Sequence, residues 1–282
     1  MVKIPDPPYI VAGVVGGPFV EYVVTPLRNG LTLGALDKSA SVVGLYGQVF
    51  RNGLGDAFAG GIPMAKAGVP GFLVLGPAFH MFKDFTGGSS VAAVGLTAIS
   101  ESLVFYGAES YNAQVTYNLK ALRNGTPRIT KLQNPLNPLG GGFGLNVSRN
   151  VLAMSGLRVF SKPCQDVIQQ LKPDMSPTAR TVWGDLVANV LVSAASAPLH
   201  QLYQWSVTTR VAETTHVEPF VKAAVNFLKA QYLTSSGSLS PVAGRDMFLR
   251  VVYNATIFTM YGFIERTLVA TWPSTLHWNH RL

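Results

Sequence analysis

Residues 52–60, NGLGDAFAG, place the aromatic Phe58 five positions after a glycine, Gly53. Residues 137–145, NPLGGGFGL, and 236–244, SGSLSPVAG, have a related arrangement, with Phe143 and Val242 at the position of the aromatic. Self-similarity at a regular interval is typical of folds built from repeated units. The chain is therefore expected to consist of three related parts.

A second set of related segments precedes each of these stretches. The segments are VVTPLRNGL (23–31), VFYGAESYN (104–112) and ASAPLHQLY (195–203). When they are aligned, Pro26, Gly107 and Pro198 occupy the same position. Each of these residue types bends a helix, so the three positions are predicted to be helix kinks.

The composition favours a membrane protein. Only 13% of the 282 residues are charged, and the mean hydropathy is +0.27. The surface of a soluble domain usually carries about a quarter charged residues or more. One cysteine, Cys164, excludes an internal disulfide framework.

Long apolar stretches interrupted by small residues account for most of the chain. Small residues let helices pack closely within lipid, and these stretches lack a polar face. Six buried helices of a soluble all-α protein are the alternative. The stretches run from Tyr9 to Pro26, Ala57 to Phe82, Val91 to Val115, Gly142 to Phe160, Val182 to Val207 and Gly244 to Ala270.

The connections between the stretches are alternately long and short. KDFTGGSS (83–90) and KPDMSPTAR (172–180) are short turns. HVEPFVKAAVNFLKAQYL (216–233) predicts an amphipathic helix with Pro219 in its first turn. Its apolar face comprises Phe220, Ala224, Phe227, Leu228 and Leu233.

Basic residues are scattered along the chain although its net charge is +8. Nucleic-acid binding requires basic residues clustered with aromatic ones, so nucleic acid is not an expected partner. The densest group lies in one long connection, where it indicates a loop on the non-translocated side of a membrane. It comprises Lys120, Arg123, Arg128 and Lys131.

Taken with the loop alternation, these segments resemble the mitochondrial carrier family. Each repeat of that family contains Px[DE]xx[KR], followed later by [DE]Gxxxx[WYF][KR]G. Residues 146–160 and 244–268 also look like the fourth and sixth helices of such carriers. The resemblance covers nearly the whole chain as a single domain, 1–282, with repeats at roughly 9–86, 87–172 and 173–271. It implies an all-α membrane protein with six transmembrane helices in three pseudo-repeats around a central cavity. Short helices lie on the matrix side, and NGLGDAFAG enters the second transmembrane helix from there.

In such carriers the charged residues of the proline motif form a gate on the matrix side. Carried over by position, these residues become a set that we call the proline-motif set: Arg28, Leu31, Glu109, Asn112, His200 and Tyr203. Of these six residues, only Glu109 has the charge that the family motif has at the same position, so three salt bridges cannot form. Arg28 and Glu109 remain able to pair.

A second gate, [FY][DE]xx[KR], closes the cytosolic side of such carriers. Its positions here form the aromatic-motif set: His80, Lys83, Cys164, Val167, Gly262 and Glu265. Lys83 alone matches the family. Without either network, the protein lacks an energetic basis for alternating between two closed states.

The resemblance also places substrate contacts. They fall at Lys66, Ala67, Val151, Leu152 and Arg250. A base at the position of Arg250 is common in carriers of anionic metabolites, because a cation in a low-dielectric cavity attracts carboxylate or phosphate.

Further charges lie at membrane depth. Glu101, Arg149 and Arg158 either serve a function, or they pair with one another, snorkel or contact a partner chain. His277 and His280 have a spacing that suits a metal ligand pair, but a surface tail explains them more simply, and no metal site is expected. No pattern of catalytic residues indicates an enzyme.

The degenerate gates favour an accessory or structural subunit of a larger respiratory-chain or ATP synthase complex in the mitochondrial inner membrane. Its expected partners are membrane lipid and other subunits of that complex. The resemblance implies no cofactor but allows a bound phospholipid such as cardiolipin. An active carrier that exchanges a small anionic metabolite is the alternative, and a membrane-shaping protein is a third possibility.

Overall fold

The computed structural model describes residues 6–212 and 218–273, and this part of the chain is helical without a named β-strand. Leu233 and Leu239 form an isolated antiparallel bridge. His277 and His280 lie outside the described residues. The helices are α1 (Pro7–Val23), α2 (Thr25–Leu36), α3 (Val42–Val49), α4 (Leu54–Phe85), α5 (Ser90–Asn124), α6 (Phe143–Ser155, continued by Gly156–Phe160 and Ser161–Leu171), α7 (Pro177–Ala212), α8 (Phe220–Tyr232) and α9 (Pro241–Thr271).

Serine residues begin several of these helices. The hydroxyl groups of Ser41, Ser89, Ser176 and Ser240 each accept a hydrogen bond from a backbone N–H in the first turn of α3, α5, α7 or α9. This is the N-cap interaction that ends an extended segment and starts a helix. The two short turns of the sequence thus separate α4 from α5 and α6 from α7.

Four of the described helices, α4, α5, α7 and α9, are long and apolar enough to cross a membrane. The pair α1 and α2, bent by 49° at Val24, adds a fifth span if it counts as one. The predicted stretch from Gly142 to Phe160 is helical, but α6 is not among these candidates. Arg149 and Arg158 lower its hydropathy.

The helices pack in chain order. α1 packs on α4, α4 on α5, α5 on α6, α6 on α7, α7 on α9, and α9 returns to α1. At one end of this arrangement α2 lies against α5, α7 and α9. The largest apolar cluster is formed by residues of α1 to α5 and α9, and it includes Val20, Leu31, Phe72, Phe105 and Leu249.

Two of the three long connections contain a helix, α3 and α8. The expected helix between α5 and α6 is absent from the described residues 125–142. Side chains of α5 hold this connection in an irregular conformation: Asn118 exchanges two hydrogen bonds with the backbone of Ile129, at 2.8 and 2.9 Å. The side-chain Oε1 of Gln114 accepts from the backbone N–H of Gln133 at 2.7 Å. Prolines at 127, 135 and 138 further disfavour a helix here.

The amphipathic helix is present, with Pro219 at its N-cap rather than in its first turn. Ala224, Phe227 and Leu228 pack with Trp205 of α7. Leu233 lies beyond the end of the helix and is 41% exposed.

Candidate functional site

The interior of the helix arrangement contains a buried polar network centred on Arg149. Its guanidinium forms an ion pair with Glu109 of α5, and both side chains are buried. The amide of Asn146 donates to the same carboxylate oxygen at 2.6 Å. The acid that survives in the proline-motif set therefore pairs with an arginine outside that set.

Arg28 pairs with Glu21 of α1 rather than with Glu109. The allowed pairing of Arg28 with Glu109 is therefore absent. Nε and Nη2 of Arg28 also donate to the hydroxyl group of Tyr253, at 3.2 and 2.8 Å. These contacts link the beginning of α2 to α1 and to α9, across the bend at Val24.

A chain of hydrogen bonds continues from Arg149 into α7 and α2. Nη1 of Arg149 lies 2.7 Å from Nδ1 of His200. Because a guanidinium only donates, Nδ1 is the acceptor and the imidazole proton lies on Nε2. Gln204 lies 3.3 Å from that Nε2 and 3.1 Å from Oγ1 of Thr32. The structure places Oε1 of Gln204 towards Thr32, from which it accepts, and Nε2 of Gln204 towards His200. Because two N–H groups cannot bond to each other, exchanging the two amide positions gives each of these groups a partner.

The remaining proline-motif residues are also buried. Leu31 packs in the main apolar cluster. Nδ2 of Asn112 donates to Oδ1 of Asn29 at 3.0 Å and to the carbonyl oxygen of Ala59 at 2.8 Å. The ring of Tyr203 lies 4.6 Å from the guanidinium carbon of Arg149, and its hydroxyl group lies 3.0 Å from that of Ser110. The structure thus brings Glu109, His200 and Tyr203 together around Arg149.

The aromatic-motif set does not form a comparable network. None of its residues takes part in an ion pair within the part of the chain that the structure describes. His80 and Val167 are exposed, and Lys83 and Cys164 are partly exposed. Gly262 and Glu265 line a large cavity.

Two adjacent cavities lie between the helices and share wall residues. A small one of about 60 Å³ is bordered by Glu101, Glu109, Arg149 and Arg250. The other measures about 680 Å³, extends between α4, α6, α7 and α9, and is lined by Phe72, Phe79 and Val190 among others. Leu75, Met154 and Phe258 border both cavities.

Of the five predicted substrate contacts, Arg250 borders the small cavity, and it is 3% exposed. Ala67 and Val151 pack against apolar clusters. Lys66 is exposed, Leu152 is half-buried, and neither lines the two cavities. The structure therefore does not bring these five residues together.

The other charges that the sequence predicts to lie at membrane depth have different neighbours. Glu101 accepts a hydrogen bond from Asn150 and forms no ion pair with a described arginine. The guanidinium carbon of Arg158 lies 4.3 Å from the ring centre of Phe79, and its Nη2 donates to the carbonyl oxygen of Leu75 at 3.4 Å.

The predicted kink residues occupy two kinds of position. Pro26 lies in the first turn of α2, next to the bend at Val24. Gly107 and Pro198 lie inside α5 and α7, which continue through them. A Cβ atom at Gly107 would lie 2.4 Å from the carbonyl oxygen of Pro135, so this glycine admits the backbone of the connection between α5 and α6.

A second polar cluster ties the end of α2 to α9 and α8. Nη1 of Arg245 donates to the carbonyl oxygens of Asp37 and Ala40 at 2.7 and 2.8 Å, and its Nη2 donates to that of Gly34 at 2.7 Å. Arg245 also pairs with the buried carboxylate of Asp246, which accepts from Gln231 at 3.1 Å. Arg245 therefore supplies donors for carbonyl groups at the C-terminus of α2 that have no partner within the helix.

The basic cluster near the end of α5 is partly neutralised by acids from other connections. Lys120 pairs with Asp37 at 3.2 Å, and Arg123 pairs with Asp56. Partial burial opposes ionisation of Asp37. Hydrogen bonds from Ser39 and Gln48 and the Lys120 ammonium outweigh it, so the pKa of Asp37 lies well below its ordinary value. Burial also raises the pKa of the Tyr46 hydroxyl to about 12.

Sequence reasoning missed Glu21, Asn146 and Asn150 as members of the network. Glu21 lies seven residues, or two helical turns, before Arg28, and this spacing is a signal that could have been used. Asn146 and Asn150 are one turn apart on α6, and Nδ2 of Asn150 lies 3.1 Å from Oδ1 of Asn146. The sequence does not show which neighbouring helix these two side chains face, because this depends on how α5 packs against α6.

Within the described residues, no group of three or more His, Cys, Asp or Glu side chains comes together that could hold a metal ion. Comparison with protein-family models gives no match. Comparison with curated proteins gives none either.

Proposed function

We propose that this chain is a carrier-like protein of the mitochondrial inner membrane that serves as an accessory or structural subunit of a larger complex and does not transport. In this proposal α1 with α2 forms the first of six transmembrane helices, and α6 forms the fourth. The packing of α9 back onto α1 supports a closed ring. The approach of α2, α5 and α7 at one end supports three related repeats.

The pairing of Glu109 with Arg149 is the observation that best supports the proposed absence of transport. A gate works when charges on converging helices pair in one state and separate in the other. Here α2, α5 and α7 converge, but Glu109 pairs with α6 and Arg28 pairs with α1. Separating either buried pair would leave an uncompensated charge, at about 3–5 kcal/mol. Both pairs therefore favour a single conformation.

A native gel of mildly solubilised membranes, probed for this chain, tests the subunit proposal. We expect migration with a respiratory-chain or ATP synthase assembly, and the association should survive a salt wash. A known soluble matrix protein, probed in the same lanes, controls for non-specific co-migration with the large assembly. Migration at monomer size in several mild detergents would contradict the proposal.

A second candidate function is exchange of a small anionic metabolite. Arg250 favours it, because this buried guanidinium borders the small cavity and forms no ion pair with a described acid. Reconstituted vesicles loaded with dicarboxylates or phosphate test it. Exchange that Arg250→Ala abolishes, and that the exposed Lys172→Ala variant retains, would establish transport and overturn the structural role.

A further inference from the structure

The charges around the small cavity balance, but they do not all pair. Two ion pairs form, Glu21 with Arg28 and Glu109 with Arg149. Glu101 and Arg250 remain, and both line the small cavity. Neither forms an ion pair with any residue that the structure describes.

The neutral side chains next to Glu101 and Arg250 satisfy only part of the hydrogen-bonding capacity of each group. The carboxylate of Glu101 accepts from Asn150, whose NH₂ group also lies 3.1 Å from both Ser102 Oγ and Asn146 Oδ1. Within the described part of the chain, the guanidinium of Arg250 makes one long hydrogen bond, from Nε to Ser196 Oγ at 3.4 Å, and its carbon lies 5.4 Å from the ring centre of Tyr253. A guanidinium has five donors, so most donors of this buried group remain free towards the cavity.

A buried charge without a partner is costly, and a ligand that supplies the partner removes that cost. An anion alone would satisfy Arg250 but would add negative charge beside Glu101. A cation alone would satisfy Glu101 but would add positive charge beside Arg250. A ligand with both charges satisfies the two groups and leaves the interior neutral.

We propose that the small cavity binds a zwitterionic α-amino acid, with its carboxylate on Arg250 and its ammonium on Glu101. A guanidinium presents two parallel donors that match a carboxylate. The cavity of about 60 Å³ has room for these polar groups, since one water needs about 10–15 Å³ by this measure. The side chain extends past Leu75 and Phe258 into the larger cavity of about 680 Å³. Phe72 and Val190 on its wall favour an apolar side chain.

This inference deepens the second candidate function and rests on the same arginine, but it replaces a simple anion by a zwitterion. It is independent of transport, because a non-transporting subunit can retain a bound ligand. Binding without exchange would keep the site and reject the carrier activity. Exchange of dicarboxylates without amino-acid binding would establish the carrier activity and reject the zwitterion site.

Three ligands of the same shape provide the test. Leucine carries both charges, 3-methylbutylamine carries only the ammonium, and 4-methylpentanoate carries only the carboxylate. Binding of each to the full chain in nanodiscs is measured by isothermal titration. We expect leucine to bind at least about tenfold more tightly than either single-charge analogue, the equivalent of one charged contact.

Variants assign the two contacts. Arg250→Gln and Glu101→Gln should each weaken leucine binding by at least about tenfold, whereas Lys172→Gln, at an exposed residue in the turn between α6 and α7, should not change it. The ligand series uses the unaltered chain, so it remains decisive if a variant fails to fold. Equal binding of 4-methylpentanoate and leucine, unchanged by Glu101→Gln, would overturn the proposal in favour of an anion site. Absence of leucine binding would overturn it as well.

Discussion

Gly107 of α5 lies directly against the carbonyl oxygen of Pro135: a Cβ atom on Gly107 would approach that oxygen to 2.4 Å. The carbonyl oxygens of Asn137 and Asn134 would lie at 2.6 and 2.8 Å. The irregular connection between α5 and α6 therefore packs directly against the backbone of α5 at Gly107, which has no side chain.

Gly107→Ala should lower the free energy of unfolding by about 1–3 kcal/mol, because the connection must move away from the added methyl group. Gly95→Ala in the same helix is the matched control, since a Cβ atom there meets no atom within 4 Å. Thermal unfolding of both variants in detergent measures the difference. If Gly107 served only as a kink, Ala would be tolerated at both positions and this explanation would be wrong.

Arg149→Gln should destabilise the protein by about 3–5 kcal/mol, because it leaves Glu109 buried without its counter-charge. Glu109→Gln removes that carboxylate, so the double variant should lose less than the sum of the two single ones. A double-mutant cycle on unfolding midpoints gives the coupling energy. Additive losses would mean that the two side chains do not interact.

Arg245→Gln should detach the end of α2 from α9. We expect a loss of at least about 1.5–3 kcal/mol, which is the contribution of one hydrogen bond to a charged group. Lys222→Gln removes a cation whose side chain is 71% exposed, and it should leave stability unchanged. Hydrogen exchange should rise at residues 33–40 in the first variant alone; unchanged protection there would exclude a capping role.

Acid should weaken the contact between Asp37 and Lys120. The pKa of Asp37 is lower in the folded protein than its ordinary value of 3.8. The stabilisation is therefore complete above that value and is lost as the pH falls through the folded pKa. Asp37→Asn should reduce the fall in unfolding temperature below about pH 4. The variant and the unaltered chain are compared by thermal unfolding from pH 7 to pH 2.5, and identical acid profiles would contradict the assignment.

The helical stretches were predictable from sequence because apolar runs and their turns are local features. Ser89 and Ser176 begin helices within the two predicted short turns, and α8 follows from its apolar face. The sequence predicts that α6 crosses the membrane, but α6 is not among the candidate spans, and Arg149 and Arg158 reduce its hydropathy.

The candidate site was predictable only in part. Aligned motifs identified Glu109, His200 and Tyr203, which do meet in the interior. Their common partner Arg149 was noted only as a charge at membrane depth, because its contact with Glu109 depends on the packing of α5 against α6. The allowed pairing of Arg28 with Glu109 ignored Glu21, whose side chain reaches Arg28 only across the bend at Val24.

The contact between Arg28 and Tyr253 also constrains the order of biogenesis. Tyr253 lies in α9 and leaves the ribosome 225 residues after Arg28. Until α9 packs against α1, Arg28 lacks the contact with Tyr253 and keeps the one with Glu21. The interior of the described helices therefore closes only after α9 has been made, which is the last of these helices in chain order.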